Sequence, residues 1–171
     1  MSGKKSNQTN YKILCKTLSN ECCDHVISLL PPITDTKVQT KPYNQIENFN
    51  SDQWFTNEIT KFRINLLPNH PAYKYIVSHT QDVLQDFKID YMYVTYYEPG
   101  NLCKVHSDPV DTTAIILLNN QFTGGEFYIE PNKIDLDIGD MLIFDNKNNF
   151  HGVKSVNTGN RYALSIWLSK Q

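Results

Sequence analysis

Long apolar runs are missing from this 171-residue chain. The longest strictly aliphatic stretch is Ala114–Leu118, well short of the roughly 18 residues that a membrane-spanning helix needs, so no segment is read as crossing a bilayer. Cysteine is scarce and poorly spaced for pairing: Cys15, Cys22, Cys23 and Cys103 contain no Cys-x-x-Cys, which argues against a disulfide framework and for a reducing compartment. Charge of one sign is lacking too, with 16 basic against 18 acidic side chains, so there is no basic stripe and nucleic acid is not the expected partner. Glycine is nearly absent from the first 99 residues, which hold one of the seven. Arginine is rarest of the charged residues, at positions 63 and 161 only.

What is present is the composition of a soluble globular protein, 40% apolar and 12% aromatic, at a length suited to one ordinary domain. The expectation is a flexible N-terminus over 1–10 and a single domain over 11–171. Two lysines near the start have no apolar stretch behind them, so no signal peptide is read and a cytoplasmic location is expected.

After a strand at Tyr11–Cys15, Ser19 can cap a helix whose apolar positions recur at three and four until Pro31-Pro32 stops it. A second helix is expected from Pro71 through Phe87, apolar along one face. Between them, Ile33–Gln53 is polar and aperiodic over a length unusual inside a compact domain, and it reads as either a lid over a site or a disordered loop. From Ile89 onward, about eight short strands alternate with turn chemistry, which suggests a mainly β protein: a two-sheet jelly roll packed on N-terminal helices.

Three residues in the strand-rich half could converge on a metal. In a strand, residues two apart share a face, so His106 and Asp108 of a strand Val105–Asp108 can point to one place. Alone this means little, since a His-x-Asp arises by chance in about one sequence in three of this composition. His151, on a separate expected strand, completes the two-His, one-carboxylate set that leaves positions open on Fe(II). Cys103 points to the opposite face of a continuous strand and is left outside this set.

Arg161 adds an anion site. On a strand Arg161–Leu168 the same face carries Arg161, Ala163, Ser165 and Trp167, so a guanidinium fork and a hydroxyl look into one space. An inward arginine needs an anionic ligand or a buried carboxylate partner; the other possibility is that it snorkels from the strand end.

Tyr97-x-x-Gly100, His106-x-Asp108, Leu118-Asn119, Gly124-Gly125-Glu126-Phe127, Gly139-Asp140, His151-Gly152-Val153 and Arg161-Tyr162-Ala163-Leu164-Ser165-Ile166-Trp167 together resemble the prolyl 4-hydroxylase type of 2-oxoglutarate/Fe(II) dioxygenase. The resemblance implies a double-stranded β-helix core. It implies that His106, Asp108 and His151 hold Fe(II), and that Arg161 and Ser165 hold the far carboxylate of 2-oxoglutarate. Tyr97 is either a hydrogen-bond donor to that cosubstrate or a plain core tyrosine. The chemistry implied consumes 2-oxoglutarate and O2, releases succinate and CO2, and hydroxylates an unactivated C–H of a prolyl residue in a peptide or protein. Ascorbate is the implied supporting reductant.

Cys103 and Leu117 stand where members of that family commonly have tyrosines, which leaves the substrate open. Arginine at 161, where collagen-type enzymes use lysine, points to the hypoxia-type, bacterial and viral branch. Two alternatives stand beside this reading: a hydroxylase of another amino acid or small molecule, and a jelly-roll module that binds without catalysis. Nucleic-acid demethylation is disfavoured because Trp167 occupies the position of a further arginine. Of the other histidines, His25 and His79 on helices and His70 beside Pro71 are expected in surface or capping roles.

Overall fold

The structure is a computed structural model that describes residues 11–31 and 62–171; the stretch 33–53, read above as a lid or loop, lies outside the described residues. The chain opens with β1 (Tyr11–Leu14) and α1 (Asn20–Ser28), whose first turn is capped by Ser19 accepting from the Cys22 N–H at 3.1 Å. After β2 (Phe62–Asn65) comes α2 (Pro71–Thr80), where proline starts the helix and the His70 side chain caps it. Ten strands follow: β3 (Phe87–Tyr97), β4 (Cys103–His106), β5 (Thr112–Leu117), β6 (Phe122–Gly124), β7 (Phe127–Ile129), β8 (Asn132–Ile134), β9 (Met141–Asp145), β10 (His151–Val153), β11 (Val156–Gly159) and β12 (Arg161–Lys170).

They form a six-stranded antiparallel sheet in the order β1-β9-β5-β12-β3-β2, a four-stranded sheet β4-β10-β7-β8, and a ribbon β11-β6. The large sheet divides two cores by strand alternation. Leu164, Ile166 and Leu168 of β12 join Val94, Ala114 and Ile116 beneath Cys23, Val26, Ala72 and Ile76 of the helices. Ala163, Ile115, Leu142 and Phe144 face the other way, onto Phe127, Ile129 and Val153 of the small sheet. This is the expected jelly-roll core with helices packed on one side.

Four local expectations need correction. The second helix ends at Thr80 and gives way to turns, because Phe87 is required as the first residue of β3, paired with Lys170. Leu84 keeps its buried place in the helix-side core from within those turns, which is why the apolar pattern outlasts the helix. Strands β2, β6 and β11 were not expected; β11 runs through Asn157-Thr158-Gly159, whose turn-like composition sits in a ribbon rather than a loop. The strand read as Val105–Asp108 is Cys103–His106, so Asp108 lies beyond its end. Finally, Cys103 does not face away from His106, since its Sγ lies 3.6 Å from the imidazole Nδ1.

Candidate functional site

His106 closes β4 and His151 opens β10, and the two are direct cross-strand partners with ring centroids 4.4 Å apart. The ladder then slips: His151 pairs with His106, but two residues on β10 match three on β4, so that Val153 pairs with Cys103. This bulge turns Cys103 to the side of His106, with its Sγ 3.6 Å from the imidazole Nδ1. Asp108 reaches the same point from the loop after β4: its Oδ1 is 3.4 Å from His106 Nε2, and its Oδ2 is 3.5 Å from His151 Nε2.

One ligand atom from each of His106, Asp108 and His151 lies within 4.8 Å of the others, and all three residues are buried. His106 Nδ1 donates to the Lys104 carbonyl at 2.8 Å, which fixes the ring so that Nε2 is the nitrogen facing Asp108. Asp108 Oδ2 accepts from the Thr113 hydroxyl at 2.8 Å, while Oδ1 has no hydrogen-bond partner. A buried carboxylate with one oxygen making no hydrogen bond, set against the Nε2 atoms of two imidazoles, is what a cation would satisfy. Without one, burial works to raise the Asp108 pKa, but His151 and His106 outweigh it and hold the carboxyl well below the ordinary range. For His106 burial works downward, and Cys103 with Asp108 overcomes it, pushing the imidazole up to about 10.

The inner face of the large sheet supplies the rest of the cavity. Register aligns Arg161 with Tyr97, Ala163 with Thr95 and Leu117, and Ser165 with Tyr93 and Ile115. Tyr97, Arg161, Ala163 and Ser165 line one cavity with the three clustered residues, while Trp167, expected on the same face, is not among its lining residues. The gap between these side chains is slim, about 20 Å³, room for about one water.

Arg161 is 2% exposed; its Nε has no partner, and its side chain makes no hydrogen bond or ion pair among the described residues. It rests near the rings of Tyr97 and Phe122, 5.5 and 5.8 Å from their centroids, and burial pulls its pKa down. It does not snorkel. Gly125, at φ +66°, gives it room: a Cβ there would stand 3.0 Å from Arg161 Cδ. Asn119 steadies the start of β12 by accepting from the Tyr162 N–H and donating to the Asn160 carbonyl, both at 2.8 Å.

Four neighbours of the site were not picked out from the sequence. Thr113 stands against Asp108, and Asn146 stands behind Thr113. Thr95 lines the cavity. The buried Arg63 lays its guanidinium 3.4 Å over the ring of Tyr93, which also lines it, with Tyr91 and Trp167 close by. The available signal for Arg63 was its rarity, as the other of two arginines. Among the described residues no helix is long and apolar enough to cross a membrane, and all four cysteines are free thiols.

Neither a family model nor a curated protein matches the sequence. Solved structures do match in shape. The viral collagen prolyl hydroxylase of Paramecium bursaria Chlorella virus-1, solved as a 2OG complex, superposes with a TM-score of 0.68 at 16% identity, over 96% of this chain and 98% of that one. A prolyl hydroxylase of Trichoplax adhaerens, in complex with a peptide fragment of the hypoxia-inducible factor oxygen degradation domain, gives 0.66 at 19% identity, over 96% and 85%. HygX of Streptomyces hygroscopicus, with nickel and 2-oxoglutarate bound, gives 0.62 at 10% identity, over 96% and 84%. The fold of this chain is therefore that of the prolyl hydroxylases and related 2-oxoglutarate oxygenases, a jelly-roll core with the two described helices packed on it.

Proposed function

We propose that residues 11–171 form one Fe(II)- and 2-oxoglutarate-dependent dioxygenase domain that hydroxylates an unactivated C–H, with a prolyl residue in a peptide or protein as the acceptor. The observation that carries this reading is the meeting of two unlike demands in one cavity: a buried His-Asp-His group with an orphaned carboxylate oxygen, and a buried arginine that meets no acid among the described residues. The first calls for a cation, the second for an anion, and a dicarboxylate bound to the metal answers both.

In this reading His106 Nε2, His151 Nε2 and Asp108 hold the metal, two neutral nitrogens and one anion. The bound iron with 2-oxoglutarate and O2 supplies the oxidising chemistry, with succinate and CO2 released and ascorbate supporting turnover. Arg161 would clasp the far carboxylate through its planar fork, Ser165 would offer that end a hydroxyl, and Tyr97, beside Arg161 in register, would donate a hydrogen bond to the cosubstrate. Phe127 and Phe144 flank His151, with centroids 5.8 and 4.8 Å away, and keep water from that side. The prolyl acceptor is supported by two neighbours of this fold that are prolyl hydroxylases, one of them holding a peptide.

The test is succinate release on incubation with Fe(II), ascorbate, 2-oxoglutarate and a panel of proline-containing peptides, with mass spectrometry to find the peptide that gains one oxygen. Asp108→Ala removes the sole anionic ligand and is expected to abolish both signals while the protein remains folded. Succinate release that survives in Asp108→Ala would refute the metal assignment. No succinate from the parent protein under any acceptor would favour a binding module. Oxidation of a free amino acid or other small molecule, with every peptide untouched, would move the substrate class.

A further inference from the structure

We propose that Thr113 and Asn146 are positioning residues that lock the Asp108 carboxylate so that Oδ1 alone is offered to the metal. The proposal rests on the reading of His106, Asp108 and His151 as ligands. Thr113 stands on β5, fully buried, and Asn146, 2% exposed, follows β9 on the way to His151. Asn146 Nδ2 donates to Thr113 Oγ1 at 2.8 Å, and Thr113 Oγ1 donates to Asp108 Oδ2 at 2.8 Å.

The direction of this relay follows from donor capacity. An ionised carboxylate only accepts, so the single hydroxyl proton of Thr113 must point at Asp108. The threonine oxygen is then left as an acceptor, and Asn146 must present its NH2 rather than its carbonyl. With Oδ2 engaged, rotation of the carboxylate about its Cβ–Cγ bond breaks a buried hydrogen bond, so Oδ1 keeps its place 3.4 Å from His106 Nε2.

Asn146 also fastens the loops that carry the ligands. Its backbone carbonyl accepts from Ser107 Oγ at 2.8 Å, and its backbone N–H donates to the Asp111 carbonyl at 3.0 Å. The loop of Asp108 and the loop entering His151 are thereby held at a fixed distance. Partners of metal ligands elsewhere are worth about 10- to 100-fold in metal affinity, and a similar size is expected here.

The experiment uses Co(II), a redox-stable ion with a visible spectrum sensitive to its ligands, titrated into the full-length parent, Thr113→Val, Thr113→Ser and Asn146→Leu, with melting curves of each metal-free protein. The parent is expected to bind one Co(II) per chain. Thr113→Val keeps the shape but removes the proton, and is expected to bind about 10- to 100-fold more weakly with an altered d–d spectrum. Thr113→Ser restores the hydroxyl and is expected to recover both. Asn146→Leu is expected to weaken binding less than Thr113→Val and carries the test should that variant not fold. A merely structural threonine would lower the melting temperature of metal-free Thr113→Val and leave the Co(II) affinity and spectrum at the parent's values. That result, or a parent-like Asn146→Leu, overturns the relay. A parent that takes up no Co(II) overturns the metal reading itself.

Discussion

Arg161→Met moves two measurements in opposite directions, and that opposition separates a ligand-binding arginine from a structural one. Methionine is unbranched and of comparable reach, so it fills the channel beside Tyr97 and Phe122 that the arginine stem occupies. In the ligand-free protein the guanidinium is buried, its Nε is unpaired, and no carboxylate among the described residues faces it. Replacing even paired buried charges by apolar groups of similar volume is neutral or stabilises by up to about 4 kcal/mol, and here no partner is orphaned. At about 2–4 °C per kcal/mol for a domain of this size, the ligand-free melting temperature is expected to hold or to rise by as much as about 15 °C. Binding of 2-oxoglutarate should fail. Two charge-assisted hydrogen bonds at about 1.5–3 kcal/mol each correspond to a loss of roughly 10²- to 10⁴-fold in affinity. The assay is calorimetric titration of the Mn(II)-loaded protein with 2-oxoglutarate, beside melting curves without it. A ligand-free melting temperature well below the parent's, or an affinity within about threefold of the parent's, would refute the reasoning.

Two further predictions concern stability. Gly139 sits at φ +83° against Leu18, and a Cβ there would collide with the Leu18 carbonyl oxygen, so Gly139→Ala is expected to cost about 3 kcal/mol or more and about 6–12 °C in melting temperature; a loss under about 2 °C would show that the turn can relax. The pH profile of the metal-free protein follows His106. Its folded pKa, about 10, stands above the unfolded value of about 6.5, so its contribution is complete below about pH 6.5 and is lost as pH rises through 10. Asp108 works in the other sense, its depressed pKa contributing above about pH 4 and failing as the pH falls. Metal-free melting temperatures should therefore decline from about pH 7 to 10, while Mn(II) affinity climbs over the same interval because the metal displaces the His106 proton. An affinity that is flat with pH would detach His106 from the metal.

The parts of the site that were legible in the sequence are those set by an unbroken ladder. On β12 the alternation runs without interruption from Arg161 to Trp167, so Arg161, Ala163 and Ser165 share the cavity as period two requires. The same rule failed at Cys103, since a bulge inserts one residue into β4 and reverses every face upstream of it. Asp108 met His106 although β4 had already ended, so its convergence depends on the loop, which no period describes. Thr113 and Asn146 were invisible for another reason: a buried threonine in a strand of Thr-Thr-Ala-Ile-Ile-Leu reads as ordinary β composition until its hydroxyl is seen against a carboxylate. The short ribbon β11-β6 escaped because its residues are those of turns.

The division of labour between the sheets gives the relay its weight. Arg161 and Ser165 stand on β12, a ten-residue strand paired on both sides, whose opposite face carries Leu164, Ile166 and Leu168 into the helix-side core. The anion end of the cavity is thus fixed to the most extensively hydrogen-bonded part of the large sheet. The histidines come from β4 and β10, strands of four and three residues, and Asp108 from a loop. Short strands next to a bulge are held by few ladder bonds, and local opening is easiest where such bonds are few. A dicarboxylate that bridges the two ends requires a constant separation between them. Thr113 belongs to β5, which pairs with β12 through Trp167, and its hydroxyl crosses to Asp108. That hydrogen bond connects the metal ligands to the strand pair that holds the arginine, so its removal should loosen the distance between cation site and anion site even where each remains intact.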